Sequence, residues 1–166
     1  RMIIGRGWGQ GPTHSQNLQA WFNHIPGLKV VMPTFPQDAR DLLEDSINDP
    51  NPVIFLEHRW LHYTDQIIKS RKKIKIGEAQ ICHSGGDITI ISMSYLTLEA
   101  IKAAKFLKEY YKINCEVVDL RTIKPLDLKI IFRSIRKTRR VLVLDTGFET
   151  NSVSSEIITK IVEKFY

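Results

Sequence analysis

Short apolar runs alternating with amphipathic segments constrain this chain more than any other feature. Val53 to Leu56 is a continuous apolar run of the kind that a parallel sheet covers on both faces. Lys29 to Met32 is a second such strand, closed by Pro33. Between them Ala39, Leu42, Leu43 and Ile47 recur at helical spacing and predict a helix with that face buried. Thr34-Phe35-Pro36-Gln37 supplies its start, with Thr34 accepting from an orphan amide, Gln37 reaching back, and Pro36 tolerated in the first turn. Asp49-Pro50-Asn51-Pro52 breaks it. Upstream, Leu18, Trp21, Phe22 and Ile25 predict a helix over 14–25, stopped by Pro26-Gly27.

The same alternation returns further along. Asp87 to Met93 reads as a strand, and 96–111 as a helix facing inward through Leu98, Ile101, Ala104, Leu107 and Tyr111. Val117-Val118 lies in a strand ending at Asp119-Leu120. Asp127 caps a helix running to about Lys137, and Arg140 to Leu144 is the next strand. Residues 153–165 close with Val153, Ile157, Ile158, Ile161 and Phe165 inward. Strands alternating with helices imply βαβ units and a mainly parallel sheet, an α/β fold.

Length and charge divide this pattern. The 166 residues suit one large domain or two small ones. No apolar run approaches the roughly 20 residues of a membrane-spanning helix. Net charge is −2 over 1–66, +4 over 67–86 and +4 over 87–166. The block Lys69, Arg71, Lys72, Lys73 and Lys75 has no interleaved aromatic or groove-reading partner, so it reads as a solvated basic linker and calls for no nucleic acid. Two cysteines, Cys82 and Cys115, are too few for a disulfide framework. The first residues already lie inside an apolar-then-glycine pattern and the last keep helical rhythm, so the chain reads as part of something longer.

The strongest local feature is the stretch from Gly5 to Gln16, with glycine at 5, 7, 9 and 11. It lacks the Lys-Ser/Thr of a phosphate loop and the glycine spacing of a dinucleotide site. Its glycines allow close backbone approach to a ligand. They deliver His14 to the start of the expected helix, where the positive helix end would disfavour imidazolium and keep the ring able to exchange protons. A capping or packing role remains open for a lone histidine. His58 and His62 flank Arg59-Trp60-Leu61 without the carboxylate or cysteine spacing of a zinc site. His24 and Cys82-His83 read as structural, and Glu57, ending a strand, reads as an ion-paired residue.

Several segments in consistent order resemble one family. They are Gly11-Pro-Thr-His-Ser-Gln16, Ala20-Trp21-Phe22, His24 to Pro33, Asn51 to Phe55, Asp119-Leu120-Arg121-Thr122, Lys124-Pro125-Leu126-Asp127 and Gly147-Phe148. The chain resembles the beta subunit of thiamine-diphosphate-dependent 2-oxoacid dehydrogenases, in the transketolase superfamily. The resemblance implies that 1–66 is the second half of a pyrimidine-binding domain, 67–86 the crossing segment, and 87–166 most of a transketolase C-terminal-like domain. It implies oxidative decarboxylation of pyruvate or a related 2-oxoacid, with acyl transfer to lipoamide. The family's activating glutamate would lie ahead of residue 1, and the isolated segment would be inactive.

The resemblance also implies partners. An alpha subunit holds the diphosphate and its magnesium, a second beta subunit completes the dimer, and a lipoyl acyltransferase core accepts the acyl group; a 2-oxoacid is the small-molecule substrate. His14 matches the family's active-site histidine, facing the thiazolium end of the cofactor. Ser46, Ile47, Asp49 and Asn51 match the carbonyl ligands of a structural monovalent cation, usually potassium. A helix end with unpaired carbonyls and prolines that donate no amide suits such an ion. The expected compartment is the cytoplasm of a bacterium or an organellar matrix. Pro12-Thr13 departs from the Ala-Gln common in beta subunits toward transketolase and deoxyxylulose-phosphate synthase, which keeps a sugar-phosphate enzyme as the alternative, beside a non-catalytic assembly domain.

Overall fold

The computed structural model describes residues 1–5, 9–68 and 72–166. Arg6, Gly7 and Trp8 of the glycine stretch, and Lys69 and Arg71 of the basic block, lie outside the described residues. The first sheet contains β1 (Met2–Ile4), β2 (Lys29–Val31) and β3 (Val53–His58), all parallel, in the order β1-β3-β2. The second contains β5 (Ile88–Ser92), β6 (Cys115–Asp119) and β8 (Val141–Val143), also parallel, in the order β6-β5-β8. Each sheet gains one antiparallel edge strand. β4 (Gln80–His83) pairs with β6, and β7 (Thr122–Lys124) pairs with β2 through Val30↔Lys124 and Val31↔Thr122. A strand from the second half therefore completes the first sheet, and the two halves share one core. Val30, Met32 and Leu56 pack in the same cluster as Ile91, Met93, Leu120, Ile123, Ile131 and Ile157.

Five helices cover the sheets: α1 (Gln19–His24), α2 (Pro36–Asn48), α3 (Tyr95–Tyr111), α4 (Leu128–Thr138) and α5 (Val153–Phe165). Local signals place most of them well. Asp127 Oδ1 accepts from the Ile130 amide and caps α4 as expected. α2 starts one residue later than its sequence suggests. Thr34 is drawn away to donate to Ser94 O, and Asp38, not Gln37, reaches back to the Phe35 amide at 2.9 Å. Under α2, Val31, Leu42 and Phe55 form a buried cluster; truncating Leu42 to Ala would cost about 2–5 kcal/mol.

Three expectations fail where tertiary contacts override local pattern. The helix expected over 14–25 covers only Gln19–His24. Asn17 and Gln19 turn into the interior instead, bonding Thr146 O and Asp145, and Trp21 is left 69% exposed. Ile47, Tyr111 and Ile158, expected inward, are exposed. The segment expected as a solvated linker is docked. Ile74 and Ile76 pack on the α2 cluster, their amides bond Asp41 and Asp45, and β4 follows.

Candidate active site

In parallel sheets ligands collect outside the carboxyl ends of the strands. At that end of β1, Gly5 takes φ +154° and its amide donates to Gln16 O at 3.2 Å. A Cβ at Gly5 would lie 3.7 Å from the His58 ring. This bond anchors a turn that holds itself together. Gln10 N donates to Ser15 Oγ, Gln16 Nε2 to Pro12 O, and His14 N to Gly11 O. His14 sits on the turn, exposed, and neither ring nitrogen has a partner among the described residues. It lies five residues ahead of α1 and not at the helix start expected for it.

The parallel ends of β2 and β3 enclose a cavity of about 370 Å³. One wall is Pro33, Phe35 and Ala39 at the start of α2; the other is Glu57, His58 and Leu61. Glu57 is held by Arg1 through both carboxylate oxygens, at 2.9 and 3.0 Å, the pairing its position suggested. His58 is 2% exposed, and its Nδ1 accepts from the Trp60 amide at 3.3 Å. Its ring stacks on Tyr95 at 5.0 Å, and Trp60 meets the same ring edge-on at 4.8 Å. Burial, with a smaller contribution from His62, pushes the imidazole down to about 4, so it is neutral at neutral pH.

Behind this cavity lies a buried polar junction that the sequence did not single out as a site. Asp119, at the end of β6, accepts on Oδ1 from Thr34 and Thr97 at 3.0 Å. Arg121 lies two residues on, its Nε 2.9 Å from Asp38 Oδ1 but without a well-aimed N–H, so the contact is ionic. Burial, then the neighbouring charge of Asp38, pushes the Asp119 carboxyl up to about 7, and Asp38 is raised by its own burial. One guanidinium thus faces two buried acids, and burial favours the protonated form of both. Ser94, at φ 53°, holds strained backbone here; its carbonyl accepts from Thr34. Burial also raises the Cys82 thiol, which disfavours its thiolate.

At the other end of α2 lie Ser46, Ile47, Asp49 and Asn51, which the resemblance marks as cation ligands. Asp49 carries one oxygen to the Lys29 ammonium and the other to the backbone and side-chain nitrogens of Asn51, at 2.9 and 3.0 Å. The Lys29 bond, then Asn51, lowers the Asp49 carboxyl to about 2. Ser46 Oγ returns to Leu42 O. The carboxylate fixes the turn, and the carbonyls of the last helical turn remain the hard-oxygen donors. The Lys29 ammonium adds positive charge beside this turn. His24 lines a groove between α1, β7 and α5, and His83 Nδ1 bonds Cys115 O.

Comparison with known proteins covers both halves. The family described as "Transketolase, pyrimidine binding domain" matches residues 3–63, and "Transketolase, C-terminal domain" matches 77–166. The chain is 39% identical over 160 residues to the mitochondrial pyruvate dehydrogenase E1 component subunit beta of Chaetomium thermophilum, across 93% of this chain and 42% of that protein. To the corresponding Rhizobium meliloti subunit it is 42% identical over 155 residues, across 92% and 34%. To 2-oxoisovalerate dehydrogenase subunit beta 2, mitochondrial, of Arabidopsis thaliana it is 37% identical over 165 residues, across 98% and 45%. The chain spans less than half the length of these relatives. Among solved structures, one titled "Split gene transketolase, inactive beta4 tetramer" superposes with a TM-score of 0.85 at 21% identity, over 99% of this chain and 53% of that one, a likeness of fold. No helix among the described residues is long and apolar enough to cross a membrane.

Proposed function

This chain belongs to the transketolase family, and on that premise we propose that it works within the beta subunit of a thiamine-diphosphate-dependent 2-oxoacid dehydrogenase. The reaction is oxidative decarboxylation of pyruvate or a related 2-oxoacid, with acyl transfer to lipoamide. The observation that carries this reading is the similarity, over more than nine-tenths of the chain, to beta subunits of two such dehydrogenases, beside a pyrimidine-binding family match over residues 3–63 that includes the His14 turn.

The residues present suit one side of the cofactor. An unpartnered imidazole on a turn anchored to the end of β1 is free to meet a ligand. Thiamine diphosphate, when bound, supplies the carbanion chemistry that cleaves the 2-oxoacid. His14 holds or moves a proton at a ring nitrogen during that chemistry and orients the acyl group for transfer. Diphosphate and magnesium fall to an alpha subunit, and a second beta subunit and a lipoyl acyltransferase core complete the assembly. The chain divides functionally at 1–66 and 87–166, with 67–86 crossing between them. The compartment is a mitochondrial-type matrix in a eukaryote, as in the named plant and fungal relatives, or the cytoplasm in a bacterium.

A monovalent cation, potassium by preference, sits on the backbone carbonyls of Ser46, Ile47, Asp49 and Asn51. Its support is the helix end itself, where Asp49 is already committed to Lys29 and Asn51.

A transketolase-type sugar enzyme is the second reading, favoured by Pro12-Thr13 ahead of His14. The test is assembly of the chain with an alpha-type partner, thiamine diphosphate and magnesium. Lipoamide acylation from pyruvate or 2-oxoisovalerate is expected. Turnover restricted to sugar phosphates overturns the dehydrogenase reading, and no turnover with either substrate favours an assembly role.

A further inference from the structure

α4 carries its charge unlike the other helices. Its inner face, Ile131, Ser134, Ile135 and Thr138, is buried against the second sheet. Every exposed residue of the helix is basic: Lys129, Arg133, Arg136 and Lys137. They fall at i, i+4, i+7 and i+8, which places them on one face over roughly 12 Å. Arg139 and Arg140, also exposed, follow at once in the turn to β8. On α3 and α5, by contrast, glutamates stand among the exposed lysines and pair with them, Glu99 with Lys102, and Glu156 and Glu163 with Lys160.

Little inside the chain answers the charge of α4. Lys137 has a carboxylate, the buried Glu116, which also accepts from Ser134. Arg136 lies over the Phe165 ring at 5.9 Å. Lys129, Arg133, Arg139 and Arg140 make no side-chain ion pair among the described residues. Asp127, which caps the helix, is committed to the Ile130 and Ala79 amides. Cations four residues apart on a helix repel each other. The helix dipole offsets that repulsion for Arg136 and Lys137 in the last turn, but it opposes Lys129 in the first.

The setting selects among anionic partners. A bilayer surface calls for apolar side chains beside the cations, to enter the headgroup layer, and the exposed face of α4 has none. A nucleic-acid groove admits a helix that stands clear of its domain, whereas α4 is packed along its length. No exposed ring is interleaved for base stacking, since Phe132 is half-buried against Phe165. A row made mostly of arginines matches carboxylates, which a guanidinium can take through both oxygens. We propose that the exposed face of α4, with the Arg139-Arg140 turn, is a docking surface for an acidic polypeptide segment of a partner protein, whose carboxylates pair with Lys129, Arg133 and Arg140. The surface uses none of the residues of the His14 turn, so it stands apart from the dehydrogenase reading.

The test is binding of a fluorescein-labelled oligoglutamate peptide to the full chain, followed by anisotropy. Saturable binding that weakens as salt rises is expected. Lys129→Gln, Arg133→Gln and Arg140→Gln together are expected to weaken it about tenfold. Lys105→Gln, Lys108→Gln and Lys112→Gln on α3 remove the same charge and are expected to leave it within about twofold. Carbodiimide coupling on the wild-type chain, which joins lysine amines to carboxylates in contact, is expected at Lys129 ahead of Lys105 and Lys108. It decides the matter if the α4 variant fails to fold. Equal weakening by both triple variants, or coupling at α3 first, reduces the effect to overall charge and overturns the proposal. So does an absence of saturable binding, or tighter binding of duplex DNA or phosphatidylserine vesicles through the same three residues. Peptide binding through α4 without thiamine-dependent turnover upholds the surface and counts against the dehydrogenase reading alone.

Discussion

The His58 cavity and the Asp119 junction lie on either side of Thr34, and both remove titratable groups from water. They resolve the cost in opposite ways. At the junction Asp38 and Asp119 face Arg121, and hydroxyls from Thr34 and Thr97 close one carboxylate oxygen. Three sequence segments far apart are tied there, and little room is left for a ligand. At the cavity the neutral His58 imidazole lines an open space, its Nδ1 accepting from the Trp60 amide. At the junction Ser94 Oγ, Asp119 Oδ2 and Arg121 Nε stay buried without a hydrogen-bond partner, so charge pairing and two threonine hydroxyls hold it, whereas the cavity leaves its imidazole beside open space. The contrast assigns stability to the junction and leaves the cavity open, while the chemistry we propose is placed on His14.

Breaking the junction produces the largest stability effect. Arg121→Met strands two buried acids, and unfolding in urea is expected to show a loss of about 3–5 kcal/mol. A loss below about 1 kcal/mol would mean the ion pair is already hydrated, and the contrast with the cavity would dissolve.

The pH dependence sharpens the comparison. Asp119 is raised from its unfolded value near 4 to about 7, so the folded state binds a proton that the unfolded state lacks between those values. Its contribution is full below about 4 and is lost as pH rises through about 7. His58 runs the other way. Its folded value near 4 lies below the unfolded 6.5, so its contribution is present above 6.5 and is lost as pH falls toward 4. The two oppose each other between about pH 4 and 6.5. Asp119→Asn keeps an acceptor for Thr34 and Thr97, and it is expected to leave stability rising with pH across that window by about 1–3 kcal/mol. A profile unchanged by Asp119→Asn would mean the proton resides on Asp38 instead.

The sequence revealed what depends on neighbours in the chain. Asp127 announces the α4 cap because its partner amide is three residues away, and Val53 to Leu56 announces β3 by composition. What depended on distant partners was hidden. Nothing local marks Thr122–Lys124 as an edge strand for β2, and Ile74 and Ile76 became buried only when α2 offered a surface. Trp21 and Ile158 keep helical spacing but face outward. The site divides the same way. His14 and the Asp49–Asn51 turn were singled out by motif resemblance, while the pairing of Asp38 with Arg121 and the burial of His58 against Tyr95 required the fold.

The most direct measurement is lipoamide acylation by His14→Ala in the assembled enzyme, with its unfolding free energy recorded beside it. Because His14 is exposed and bonded only through its backbone, stability is expected within about 0.5 kcal/mol of wild type while acylation falls about 10²–10³-fold. Acylation within twofold of wild type at unchanged stability would contradict the account, because the turn at the end of β1 would then carry no chemistry.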